Sequence, residues 1–158
     1  MEEYRKKCCL ALLLDEKSES EAILHALADS PYQTIIWKSN STANPDEMLL
    51  PEGPMPEVLN TVFEDGFSRG FRKVVILKPV VTPTQTLLDE AFFSLKLIEC
   101  CIGLNDTGDF YLLGMNDFRP EILAFIPPED SLIGKKIIRR IGDQKLALYK
   151  TPTLKGES

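Results

Sequence analysis

The chain has 158 residues, of which 44% are hydrophobic and 27% are charged, and its formal net charge is -6. This length suits one globular domain with its own core, and the composition argues against a disordered or fibrous chain. The acidic charge argues against a general nucleic-acid binder, and the longest apolar run, residues 8–14, is too short to span a membrane. We therefore expect a protein that binds neither nucleic acid nor membrane.

The first predicted elements are a strand, a helix and a second strand. Residues 8–14 (CCLALLL) form an apolar run of strand length, typical of a strand covered on both faces. The run follows basic residues, as in a signal peptide, but Asp15 and Glu16 end it without a small-residue cleavage site, so we expect a cytoplasmic protein. Ser18 begins a short helix with a capping box, and QTIIWK at 33–38 predicts the second strand.

After a polar loop, the middle of the chain is predicted to form a helix, then a buried strand, then a second helix. Apolar residues recur at helical spacing over residues 55–67, and Gly70 is the expected stop. KVVIL at 73–77 has the length and composition of a buried strand. Thr82 and Gln85 then form a capping box at the start of the next helix.

The last third of the chain predicts three strands and two helices. Strands are expected at 99–104 and 110–115, followed by a short helix within 118–125. A clearer amphipathic helix is expected at 131–141, and a last strand at 145–150.

Strands alternate with helices almost throughout, and the central strands are apolar without a period of two. This pattern is typical of an α/β domain, a three-layer α/β/α sandwich in which a mainly parallel sheet lies between helix layers. We expect one domain over residues 1–152 and a C-terminal tail over 153–158. A sheet edge or the helix at 131–141 could pair in a homodimer.

The four cysteines form two adjacent pairs, Cys8 with Cys9 and Cys100 with Cys101. Neighbours on a strand point to opposite faces, so neither pair can chelate one metal ion by itself. The pattern favours reduced cysteines in the core, with a contact between the two pairs if their strands lie side by side.

Ligands of an open α/β sheet bind beyond the carboxyl ends of its strands. The loop after the first strand, DEKSES, has no glycine and so predicts no phosphate cradle, while Lys78 could receive a phosphate after the central strand. Asn105, Asp106 and Asp109 follow the strand at 99–104, where a plain turn is favoured because two carboxylates without a third oxygen ligand hold a metal weakly. We predict these four side chains as ligand-binding residues, with no catalytic residue and no metal ligand.

Three stretches between Gly53 and Met115 resemble a known family: GPMPEVL, FEDGFSRGFRKVVILKPVVTP and GLNDTGDFYLLGM. The family is the bacterial radical-SAM/selenodomain-associated transferase of the first type. Its members read G-D-L-G-E-R-M, F-x-x-G-F-x-x-V-V-L-I-G-S-D-C-P and G-P-A-x-D-G-G-Y-Y-L-x-G-L. The resemblance implies a glycosyltransferase A-type fold, the three-layer fold of nucleotide-diphospho-sugar transferases.

The chain departs from this family at the positions that carry its chemistry. The family's nucleotide-binding loop is replaced by DEKSES, and the arginine of G-D-L-G-E-R falls on Val58. The metal-binding acid falls at about Val80, the aspartate of D-G-G-Y on Thr107, and its second glycine on Asp109. The resemblance thus implies a degenerate member without cofactor, which has lost metal and nucleotide binding and binds an unknown small molecule or protein.

The alternative is an active but divergent transferase that acts on a nucleotide or phosphosugar. Lys78 would then contact a phosphate, while Asp106 and Asp109 would hold Mg²⁺ or Mn²⁺ with a nucleotide sugar. Both interpretations place the site at the carboxyl ends of the same two strands.

Overall fold

The structure is a computed structural model that describes residues 7–14, 30–38, 47–78, 84–124, 126 and 133–154. Some predicted features lie outside these residues, namely the helix that begins at Ser18, the loop at 39–46, Val80, Thr82 and the tail beyond residue 154. Among the described residues, no helix combines the length and apolar character needed to cross a bilayer.

The described residues form seven strands and four helices. In chain order they are β1 (Cys8–Leu14), β2 (Gln33–Lys38), β3 (Glu47–Leu49), α1 (Met55–Ser68), β4 (Lys73–Leu77), α2 (Gln85–Ser94), β5 (Cys100–Leu104), β6 (Phe110–Met115), α3 (Pro120–Leu123), α4 (Ile133–Asp143) and β7 (Leu148–Lys150).

The strands form one sheet in the order β3-β2-β1-β4-β6-β5-β7. Strand β6 is antiparallel to both of its neighbours, β4 and β5, and the other neighbouring pairs are parallel. The expected mainly parallel sheet is therefore confirmed. Because β6 reverses direction between them, β4 and β5 point the same way, and the turn from β5 into β6 lies at the edge where β4 ends.

Element boundaries follow the local signals closely, with two corrections. The predicted capping box of Thr82 and Gln85 is wrong, because Thr84 is the N-cap and its side chain accepts a hydrogen bond from the Leu87 N–H at 3.1 Å. The last strand is shorter than predicted because Lys145 takes a left-handed φ of 59° and closes α4. The three-residue strand β3 was not predicted, since so short a segment carries no periodicity.

Helices cover both faces of the sheet, which confirms the three-layer arrangement. Buried side chains of α1, α3 and α4 pack on one face, and those of α2 pack on the other. Each cysteine pair divides between the faces as predicted: Cys9 and Cys100 lie on the first face, and Cys8 and Cys101 on the second. All four thiols are reduced and buried, and the pairs do not meet because β4 and β6 separate β1 from β5.

Candidate functional site

Lys78 and Asp109, two of the four predicted ligand-binding residues, form an ion pair at the carboxyl ends of β4 and β5. Lys78 directly follows β4, and its N–H donates to the carbonyl of Tyr111 on β6 at 2.8 Å. Its Nζ lies 2.6 Å from Asp109 Oδ2, with 23% of the lysine side chain and 27% of the aspartate side chain exposed. The ammonium also lies 4.5 Å from the centre of the Phe110 ring. The positive charge of the Lys78 ammonium is therefore neutralised by the Asp109 carboxylate.

Asn105 organises the turn that carries Asp109. Its Oδ1 accepts hydrogen bonds from the Thr107 N–H at 3.1 Å, the Thr107 hydroxyl at 2.6 Å and the Asp109 N–H at 3.1 Å. The Asn105 side chain is almost buried, at 8% exposure, and Gly108 supplies the positive φ of 92° that the turn requires. One oxygen thus serves three donors inside the protein, which makes Asn105 a structural residue of the turn.

Each oxygen of the Asp109 carboxylate has a hydrogen-bond partner within the protein. Its Oδ1 accepts from the Phe110 N–H at 2.8 Å, while Oδ2 faces Lys78. A metal ion at this carboxylate would lie close to the lysine ammonium and be repelled by it, and hard cations need several oxygen ligands at once. Within the described part of the chain, no three or more histidine, cysteine, aspartate or glutamate side chains are grouped to hold a metal.

Asp106, the fourth predicted residue, is exposed on the same turn. Its backbone N–H donates to the carbonyl of Leu154 at 3.0 Å, and the Leu154 N–H donates to the carbonyl of Leu104 at 3.1 Å. Leu154, which the sequence assigns to the tail, therefore reaches the turn. Of the four predicted residues, Lys78 and Asp109 therefore pair with each other, Asn105 is buried in the turn, and Asp106 stands on its exposed side.

The floor beneath the turn is built by Tyr111 and the segment after β7, which sequence reasoning did not connect. The Tyr111 hydroxyl donates to the carbonyl of Pro152 at 2.7 Å and shares a hydrogen bond of 2.7 Å with the Thr151 hydroxyl. Burial raises the pKa of Tyr111. A Cβ added at Gly103 would clash with the Tyr111 ring. Only glycine therefore lets this ring pack so close to the backbone of β5. Partners 40 residues apart leave no local sequence signal.

Aromatic residues near this edge, which could in principle stack on a base, belong to the core. Trp37, Phe110 and Tyr111 are all buried. Val58, which the sequence resemblance aligns with an arginine, is buried on the side of α1 that packs on the sheet. The segments that follow β1 and β4, residues 15–29 and 79–83, lie outside the described residues.

Comparisons with known proteins show the fold. No family model matches the chain, and no curated protein matches it. A protein from Desulfovibrio desulfuricans G20, provisionally assigned as a nucleotide-diphospho-sugar transferase, has a TM-score of 0.84 at 15% identity, over 96% of this chain and 82% of that one.

Two more solved structures share the architecture. Mannosyltransferase PcManGT from Pyrobaculum calidifontis, in complex with GDP-Man and Mn²⁺, has a TM-score of 0.64 at 14% identity, over 98% of this chain and 57% of that one. The homolog of Mycobacterium tuberculosis rv0371c from Mycobacterium sp. strain JC1 has a TM-score of 0.59 at 9% identity, over 96% of this chain and 89% of that one. The predicted glycosyltransferase A-type fold of nucleotide-diphospho-sugar transferases is confirmed, and the narrower resemblance to the radical-SAM-associated type stays a prediction.

Proposed function

We propose that the chain is a non-catalytic binding protein, built on the nucleotide-diphospho-sugar transferase fold, that has lost metal and nucleotide binding. The observation that carries this proposal is the ion pair between Lys78 and Asp109, 2.6 Å long and largely shielded from water. A lysine free to meet phosphate and a carboxylate free to hold a metal are the two groups that a transferase would need here. In this chain each of them satisfies the other.

The surrounding residues support the same conclusion. Thr107, where the family carries an aspartate, has a hydroxyl bonded to Asn105 within the turn. Val58, in place of an arginine, contributes to the core and offers no charge to a phosphate. Opening the ion pair for a ligand would leave two partly buried charges to be compensated, which we expect to cost about 1.5–3 kcal/mol unless the ligand replaces both partners.

A second function is favoured by one comparison, the likeness in fold to a mannosyltransferase that binds GDP-Man and Mn²⁺. In this alternative the chain is a divergent metal-dependent transferase for a nucleotide or phosphosugar. Lys78 would leave Asp109 and contact a phosphate instead. Asp106 and Asp109 would then hold Mg²⁺ or Mn²⁺.

Thermal unfolding of the whole chain with GDP-mannose and Mn²⁺, each alone and both together, separates the two functions. We expect no rise in melting temperature with the nucleotide sugar, with or without the metal. A rise that needs both components, and that Asp109→Asn removes, would refute the proposed loss of metal and nucleotide binding and favour the transferase alternative.

The matched control for that variant is Asp117→Asn. Asp117 Oδ1 accepts the N–H of the next residue, Phe118, at 2.8 Å, which is the local geometry of Asp109 and Phe110. It lies after the end of β6, away from the turn between β5 and β6. If both variants abolished a metal-dependent rise, the binding would not depend on the predicted site.

A further inference from the structure

The segment that follows β7, residues 151–154, lies alongside the end of β5, and we call it the strap. The Thr151 N–H donates to the carbonyl of Ile102 at 2.9 Å, and the Leu154 N–H donates to the carbonyl of Leu104 at 3.1 Å. Strand β7 itself pairs with β5 in parallel. The strap therefore continues this pairing up to the turn between β5 and β6.

Hydrogen bonds connect the strap to the ion pair of the carboxyl-end site. The Asp106 N–H donates to the carbonyl of Leu154 at 3.0 Å, and Asn105 forms an isolated parallel bridge with Leu154. Within the turn, the Asn105 N–H donates to the carbonyl of Asp109 at 2.8 Å, and Asn105 Oδ1 accepts the Asp109 N–H at 3.1 Å. The carboxylate of Asp109 faces Lys78. A continuous series of contacts thus runs from the strap to the lysine.

The strap has a fixed first half and a weakly held second half. The Tyr111 hydroxyl bonds to both the Thr151 hydroxyl and the Pro152 carbonyl, each at 2.7 Å. Thr153 is exposed and Leu154 is half-buried, and Pro152 has no N–H to donate. Segments with few buried contacts and exposed backbone open locally while the rest of a fold stays intact. We therefore expect Thr153 and Leu154 to detach more readily than the core strands.

The side chain of Leu154 is the apolar anchor of this second half. It packs against the buried residues on the face of the sheet that α2 covers. The backbone of Leu154 also makes both hydrogen bonds at the turn, one to Leu104 and one from Asp106. Displacing this one residue therefore removes the apolar contact and both bonds in a single step.

We propose that the strap is a conformational switch that keeps the site of Lys78 and Asp109 shut. With Leu154 docked, the turn is held and the carboxylate of Asp109 stays against the lysine. With Leu154 released, the Asp106 N–H loses its acceptor, the turn moves more freely and the lysine ammonium becomes accessible. The switch regulates the site of the proposed function and rests on it, because the ion pair is what blocks a ligand there.

The test is amide hydrogen exchange, followed by NMR, on two full-length variants. Leu154→Asp places a carboxylate where the apolar anchor packs, and Thr153→Asp, the matched control, places the same charge on the exposed neighbour. We expect the amides of Asp106, Thr107 and Asp109 to exchange about 10- to 100-fold faster in Leu154→Asp and at an unchanged rate in Thr153→Asp.

The pattern of exchange decides whether the release is local and whether it reaches the ion pair. Faster exchange of Asp106 alone would show that the strap detaches without loosening the turn, which would overturn the proposal. Equal acceleration of the turn and of the buried strand β4 would show a general loss of stability instead of a switch, and would overturn it as well.

The accessibility of Lys78 is measured by limited acetylation with acetic anhydride and mass spectrometry. Lys135 and Lys136, both exposed on α4, serve as internal references in each sample. Relative to them, Lys78 should be acetylated about 10-fold faster in Leu154→Asp, in step with the opening of the turn, and at the original rate in Thr153→Asp. An unchanged rate in Leu154→Asp would refute the switch even if the turn exchanged faster.

A second variant, Leu154→Pro, removes the N–H that donates to Leu104 and should act in the same direction as Leu154→Asp. It decides the question if Leu154→Asp does not fold. Identical exchange and acetylation in Leu154→Pro and Thr153→Asp would then overturn the proposal.

Failure of the switch and failure of the proposed function are distinguishable. A rise in melting temperature with GDP-mannose and Mn²⁺ in the unmodified chain would refute the loss of ligand binding, whatever the strap does. Identical behaviour of Leu154→Asp and Thr153→Asp would refute the switch and leave the proposed function as it stands.

Discussion

Breaking the ion pair between Lys78 and Asp109 tests the central feature of the carboxyl-end site. Lys78→Met keeps the apolar stem of the lysine and removes the ammonium that faces Asp109 Oδ2. Asp109→Asn keeps the acceptor for the Phe110 N–H, which lies 2.8 Å away, and removes the charge. The double variant removes both charges, so the three chains complete a thermodynamic cycle with the unmodified protein.

The expected coupling follows from how well the pair is shielded. With 23% and 27% of the two side chains exposed, the pair lies between surface pairs, which contribute about 0–1 kcal/mol, and buried pairs, whose breakage costs about 3–5 kcal/mol. We therefore expect each single variant to lose about 2 kcal/mol of unfolding free energy and the pair to couple by about 1.5–3 kcal/mol.

Urea unfolding followed by the fluorescence of Trp37, the single and buried tryptophan, measures these free energies. The internal control is the pair between Asp65 and Arg69 on α1. It has a similar length of 2.7 Å but a more exposed arginine, at 43%, and should couple by only about 0.3–0.5 kcal/mol. If the coupling of Lys78 with Asp109 were no larger than that of the control, the pair would open easily and the reasoning against a metal site would fail.

Two further predictions concern the floor of the site and the buried thiols. Tyr111→Phe should cost about 1–3 kcal/mol in the same assay, because it removes the hydrogen bonds to the Pro152 carbonyl and the Thr151 hydroxyl. Tyr149→Phe on β7 should cost less, and equal losses would contradict this role of Tyr111. Burial raises the pKa of Cys9 and of Cys100 from 9.0 to about 12. The unfolded chain therefore loses these protons first, and the unfolding free energy should fall as the pH rises from about 9 towards 12. Cys9→Ala with Cys100→Ala should reduce that slope, and an unchanged slope would exclude these thiols as its cause.

Most elements were predictable because their signals are local. The apolar runs at 8–14 and 73–77 form β1 and β4 at the expected residues, and α1 follows its apolar stripe. The error in the capping residue of α2 arose because two similar signals stand close together. Thr82 and Thr84 can each cap a helix, and only the packing of α2 on the sheet decides which of them does so.

The sequence predicted where the candidate residues lie, but not which groups they contact. Lys78, Asn105 and Asp109 do meet, because the sequence places each beyond the end of a strand in an α/β sheet. Nothing local indicates that the lysine pairs with the aspartate, or that one oxygen of Asn105 serves three donors. The segment from Thr151 to Leu154 carries no pattern, and its part in the site depends on β7 pairing with β5.

By itself, the sequence determined which segments become strands and helices, that the sheet is mainly parallel, and which polar residues stand at its carboxyl ends. These properties follow from hydrophobic periodicity and from residues that cap or turn the chain over a few positions. Only the tertiary structure decided that β6 enters between β4 and β5, which brings Lys78 against a carboxylate 31 residues away. Such contacts depend on how whole elements pack, and no short stretch of residues encodes them.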